Sequence, residues 1–179
     1  MRKTILVMTL LLLLLPQHQA VAQETPKAEV FGGYSYAGGN FHGWNASVTV
    51  NVNKWFGLTA DFTGHYGGSI DEDGFDERQR VHSLLFGARF SARKKRVMPF
   101  AHALFGASTL KTELTGFGQK FLFSDTGFSL VMGGGLDIRI NDRVAVRAIQ
   151  LDYLRARFFG ETENRGRLAF GVVLRFGKK

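Results

Sequence analysis

Eight runs of alternating side chains, connections sorted by length onto two ends, and a polar face rich in glycine and charge together predict an all-β chain. The expected fold is an eight-stranded antiparallel up-and-down transmembrane β-barrel behind a cleaved signal peptide.

The N-terminus sets the compartment. Arg2 and Lys3 form a charged start, Thr4 to Leu15 an apolar run, and Ala20-Val21-Ala22 a small-x-small site, placing cleavage between Ala22 and Gln23. The run is shorter than the roughly 20 residues a membrane helix needs. The expected plan is therefore 1–22 signal peptide, 23–27 a short N-terminal segment, 28–176 the barrel and 177–179 a tail. An exported chain with no cysteine has no disulfide to stabilise it, so burial or the membrane must do so. No second apolar run of helical length follows.

The strand-like runs are Ala28 to Ala37, Gly43 to Asn53, Phe56 to Tyr66, Arg80 to Ala92, Val97 to Leu110, Asp125 to Ile140, Arg143 to Phe158 and Arg167 to Phe176. In the second, Trp44, Ala46, Val48, Val50 and Val52 face one way and Asn45, Ser47, Thr49, Asn51 and Asn53 the other. The third sets Gly57, Thr59, Asp61, Thr63 and His65 on its polar side. The eighth sets Arg167, Ala169, Gly171, Val173 and Arg175 opposite Leu168, Phe170, Val172, Leu174 and Phe176. A narrow lumen favours small residues and paired charges, whereas lipid favours Leu, Phe and Val. A water-exposed face has no such need for glycine, which weakens strands. Trp44, Trp55, Phe56, Tyr66, Phe90, Phe128 and Phe176 lie near run ends, where membrane barrels carry aromatic girdles.

Connections alternate. Asn53 to Trp55, Arg93 to Arg96 and Asn141-Asp142 are short; Gly38 to His42, Gly67 to Gln79, Lys111 to Ser124 and Gly160 to Gly166 are longer. Short periplasmic turns and longer extracellular loops are the pattern of an outer-membrane barrel, with both termini periplasmic. Phe117, Phe121 and Phe123 are exposed-aromatic candidates in the third long connection, equally explained as an extension of the flanking strands.

These features resemble the small outer-membrane β-barrels typified by the transmembrane domain of outer membrane protein A. The resemblance rests on the signal, the meander, "VFGGYSY", "PFAHALFGA" and the final aromatic strand. It implies an integral envelope component embedded in outer-membrane lipid, including lipopolysaccharide, and inserted by the barrel assembly machinery. Gly171, Leu174 and Phe176 match the spacing of the family's C-terminal assembly signal. Gly177-Lys178-Lys179 trail that signal and Ala169 stands where a polar residue is usual, two departures that weaken the match. Larger members carry a peptidoglycan-binding domain after the barrel; this chain stops three residues beyond its last run, so no such tether is expected.

Formal net charge is +8, but the cations are dispersed and an exported chain rarely meets nucleic acid, so no nucleic-acid partner is expected. The Arg93 to Arg96 cluster reads as a solvated turn. No catalytic, cofactor or metal residue is assigned. His82 and Ser83 are adjacent and point apart; His102 and Ser108 lie about 20 Å apart along a strand; His42 and His65 sit near the outer rim without a placed serine. Lipid A modification is thus a minor alternative. "DEDGFDE", Asp71 to Glu77, lacks EF-hand spacing and reads as a solvated loop, with cation binding open. The other alternative is a soluble lipocalin-like or avidin-like barrel with its apolar face inward.

The lumen is expected to hold Asp61, Arg89, Asp137, Arg139, Arg167 and Arg175. Arg147 and Asp152 join them only if a bulge near Ala148 or Ile149 resets the alternation. Eight strands leave an interior that side chains can fill, so these charges predict a polar plug rather than a diffusion pore. Their excess of Arg leaves anion selectivity open if a narrow path exists. The extracellular partner is not readable.

Overall fold

The computed structural model describes residues 25–70, 76–93, 96–116 and 119–177. The expected cleavage site, Ala22 and Gln23, the residues 71–75 of the acidic loop, Lys94, Lys95 and Phe117 lie outside them. Eight strands follow one another: β1 (Ala28–Ala37), β2 (Phe41–Asn51), β3 (Phe56–Ile70), β4 (Asp76–Ser91), β5 (Val97–Gly116), β6 (Gln119–Arg139), β7 (Val144–Phe158) and β8 (Glu161–Phe176). Each pairs antiparallel with its sequence neighbour, and β8 closes on β1.

Closure is offset along the chain. Partners of Ala28 run through Val50, Leu58, Ala88, Ala103, Met132 and Tyr153 to Gly166. Gly166 accepts a hydrogen bond from the amide of Gly38, ten residues beyond the start. Strands staggered in this way tilt by roughly 35–45° to the barrel axis.

Side chains sort as a lipid-spanning barrel requires. Val50 and Leu58 are each 56% exposed on the outside, whereas Asp61 and Arg167 are each 1% exposed within. That arrangement is the reverse of a soluble barrel with an apolar bore. Trp55 stacks on Phe90 at 5.9 Å beside Phe56 and near the short turns, and Tyr34 meets Phe170 at 5.4 Å on the outer surface.

Two short turns use one device. Asn53 Oδ1 accepts from the amides of Trp55 (3.0 Å) and Phe56 (2.8 Å), and Asn141 Oδ1 from those of Arg143 and Val144, both 2.8 Å. At the other end, β7 and β8 join through Phe159 (φ 50°) and Gly160 (φ 85°), a tight hairpin that needs left-handed backbone.

Strand bounds differ from the sequence reading mainly at that end. Most of Gly67 to Gln79 and of Lys111 to Ser124 is strand, not loop, and so is Gly160 to Gly166 from Glu161 onward. β5 and β6, 20 and 21 residues long, outrun the 9–11 residues a tilted strand needs to cross. They stand about 20 Å clear of the apolar band.

Candidate functional site

The lumen is built by residue parity. Asn45 on β2, Asp61 on β3 and Arg89 on β4 face inward at odd positions, and His102 on β5 at an even one. On β7 the parity changes within the strand. Asp137 pairs with Arg147 while Leu136 pairs with Ile149, and against β8 the register jumps between Arg147 and Gln150. Ala148 and Ile149 form a bulge, both exposed, so Arg147 and Asp152 lie on the same inner face.

These groups make one continuous network. Arg89 donates to Asp137 Oδ2 at 2.6 Å, and Arg147 Nε to Asp137 Oδ1 at 2.8 Å. Arg147 Nη1 also reaches Gln150 Oε1 (2.6 Å), whose amide donates to Asp152 Oδ2 (2.7 Å). Arg167 Nε donates to Asp152 (2.8 Å) and its Nη1 to Asp61 (2.9 Å), which also accepts from Asn45 (2.8 Å). His102 Nε2 lies 2.7 Å from Asp152 Oδ1. Three guanidinium groups meet three carboxylates, so the network is balanced without counting His102. A buried ion needs a partner and further hydrogen bonds to offset its desolvation, and here each carboxylate has at least two.

The network is held by packing. Arg147 lies over the Phe31 ring at 4.0 Å, and Arg89 over Phe100 at 3.9 Å. A Cβ at Gly133 would run into Asp152 Oδ1 and the Leu151 carbonyl, so only glycine leaves Asp152 room there. Toward the short turns sits an apolar cluster of Phe31, Met98, Ala145, Ala169 and Val173. Toward the raised end lies a larger one, including Leu85, Leu104, Leu110, Val131, Leu154 and Phe158.

Arg139 differs from expectation. It is half-buried at the last residue of β6, where the barrel opens, and makes no ion pair among the described residues. Arg175 lies 3.6 Å from Glu29, which Arg93 also holds at 2.8 Å, in a second small group at the short-turn mouth. Gln150, Glu29 and Arg93 are lumen residues that the sequence reading does not name; Asn45 lies on the polar face it turns inward, and His102 also faces the lumen. Parity alone places Glu29 and Asn45, but the partner each one meets depends on the closing offset.

His65 Nε2 lies 2.9 Å from Ser35 Oγ, a nucleophile-base spacing. Both are buried, and no described residue bonds His65 Nδ1. Ser83, Ser108 and Ser129 bond one another in a row at 2.7 Å, and none of the three bonds a histidine among the described residues. Among the described residues no cluster of metal-ligating groups occurs.

On β8, Leu174 and Phe176 face outward, whereas Gly171 faces β1, where a Cβ would strike the Gly32 carbonyl. Ala169, the departure from the usual polar residue, lies within the apolar cluster.

The raised end is the other candidate. β7 pairs with β6 only from Ser129 inward, its end reaches Asp125 through the Phe159 amide, and Gln119 to Ser124 stand beyond it as an exposed edge in a wall built from the upper parts of β3 to β6. Phe121, Leu122 and Phe123 are exposed on that edge, Leu122 at 76%. Lys120 sits 2.9 Å from Glu113 on the same hairpin, and its hydrogen bond and charge hold that carboxyl below the ordinary range.

Among solved structures, the chain is similar to the attachment invasion locus protein Ail of Yersinia pestis, at 21% identity and TM-score 0.64 over 85% of this chain and 99% of that one. A major outer membrane protein from Thermus thermophilus matches at 11% identity and TM-score 0.60, covering 83% and 98%. The N-terminal β-barrel domain of OprF from Pseudomonas aeruginosa matches at 12% and 0.50, covering 86% and 100%. No curated protein sequence matches. The model of the outer membrane protein beta-barrel domain matches residues 7–176, nearly the whole chain, and the chain belongs to that family of the cell outer membrane.

Proposed function

We propose that the protein is a sealed, non-enzymatic outer-membrane barrel that acts through its raised sheet, not through its bore. The observation that carries this reading is the contrast between a lumen filled by matched charges and a β3 to β6 wall that leaves Phe121, Leu122 and Phe123 exposed. An aromatic edge held clear of the lipid is a contact surface for an apolar or extended partner. No carboxylate bonds His65 to orient it among the described residues, and Ser35 is fully buried, which argues against acyl transfer. The barrel's bilayer partner is outer-membrane lipid, including lipopolysaccharide. The assembly machinery reads its last strand through Gly171, Leu174 and Phe176.

Retention of intact cells on apolar beads tests the surface role. Cells bearing Phe121→Ser, Leu122→Ser and Phe123→Ser together should lose at least half the retention of wild type at equal surface amounts. Unchanged retention removes the raised sheet as the working surface. Since the chain has no cysteine, Lys120→Cys and Asp142→Cys read orientation with an impermeant thiol reagent. Labelling of the first alone in intact cells is expected; the reverse inverts the barrel. Large stable conductance in planar bilayers would show the lumen to be open.

A further inference from the structure

The short-turn end carries a charge imbalance that the lumen does not absorb. Glu29 is taken by Arg93 and Arg175, and the exposed Asp142 is the other described acid there. Against them, Lys27, Lys54, Arg96, Arg139 and Arg143 make no ion pair among the described residues. These turns are short, so their cations stay at the depth of lipid headgroups beside the aromatic girdle and do not reach far into the periplasm.

A groove opens on the outer surface at this level. Trp55 and Phe90 form one wall, while Ala92, Pro99 and Ala101 leave a dent where larger side chains would stand, giving a volume of ≈ 370 Å³. It is a shallow, open dent on the lipid-facing surface, not an enclosed cavity. Its floor and walls are apolar and suit an acyl chain and glycerol. Lys54 immediately precedes Trp55, and Arg96 immediately precedes β5, which carries Pro99, so cations lie in both turns below it. The Arg93 side chain bonds the Lys54 carbonyl at 3.2 Å and ties the two turns together.

We propose that this groove, with Lys54 and Arg96, is a binding site for an anionic glycerophospholipid of the periplasmic leaflet. The acyl and glycerol portion fills the dent, and the phosphate meets the two cations. Each Lys or Arg near an anionic surface contributes about a factor of five. The assignment to that leaflet rests on the orientation above, which the cysteine pair reads separately. Reconstituted barrels meet the same lipid at both ends, so the binding result does not depend on it.

The chain has two tryptophans, and Trp44 lies on the outer face far from the groove. Trp44→Phe and Trp55→Phe each leave one reporter. In phosphatidylcholine nanodiscs, brominated phosphatidylglycerol at a low mole fraction should quench Trp55 with an apparent affinity about 25-fold above that of brominated phosphatidylcholine. Trp44 should show no such preference. Lys54→Gln with Arg96→Gln, in the Trp44→Phe background and with its heat-dependent gel mobility intact, should abolish the difference. Should that variant fail to fold, 1 M salt on the parent protein should also collapse it. Equal quenching by the two lipids, the same preference at Trp44, or a preference that survives both the variant and salt would overturn the proposal.

Discussion

β6 and β7 lie side by side, yet only β7 is patterned along its whole length. Its burial alternates from Val144 to Phe158 with one reset at the bulge, whereas β6 is exposed on both faces from Gln119 to Ser124 and alternates only further down. The strand geometry is the same. The difference is the surroundings: lipid outside and a crowded lumen inside impose two environments, while the raised hairpin meets water on both sides. Binary patterning therefore marks where a strand is enclosed, and its loss marks where a strand has left the membrane.

The comparison breaks most completely if β7 loses its reset. Deleting Ala148 forces either Arg147 or Gln150 and Asp152 onto the lipid face, and a basic group at the midplane costs about 2–4 kcal/mol by itself. No heat-modifiable folded band is expected. Arg167→Met is next. It removes the shared partner of Asp61 and Asp152, at about 3–5 kcal/mol, so the unfolding midpoint in urea should fall sharply; restoring it in part with Asp61→Asn would show that the uncompensated carboxylates are the cause. The raised region should respond in the opposite way. The triple serine substitution at Phe121, Leu122 and Phe123 should leave that midpoint within about 0.5 kcal/mol. The smallest effect is expected at Glu113. Its carboxyl is held below its unfolded value, so the Lys120 contact contributes at neutral pH and is lost as pH falls through that lowered value. In open solvent this is screened, and Glu113→Gln should leave the midpoint unchanged.

The same contrast explains what was legible. Alternation in Gly43 to Asn51 and Arg167 to Phe176 was enough to read a barrel, because each side chain there has only one tolerable environment. The bulge was readable as a condition, since Arg147 and Asp152 differ in parity and cannot otherwise share a face. Gly67 to Gln79 and Lys111 to Ser124 read as loops because glycine, serine and mixed charge without alternation look alike in a loop and in a strand wet on both sides. The partners of His102, Gln150 and Asn45 were hidden because contact across a lumen depends on the ten-residue closing offset, which no single strand records. Arg139 shares the inward parity of Asp137, but parity does not tell where the wall ends.

Arg167 reaches Asp61 across 106 residues of chain, from the last strand to the third. Until β8 arrives, Asp61 and Asp152 face each other with no guanidinium between them, and a seven-stranded sheet cannot keep its own interior dry. The polar network thus ties the timing of sealing to the final strand. Without β8, Asp61 and Asp152 have no shared guanidinium, so the same strand that closes the wall also completes the charge network.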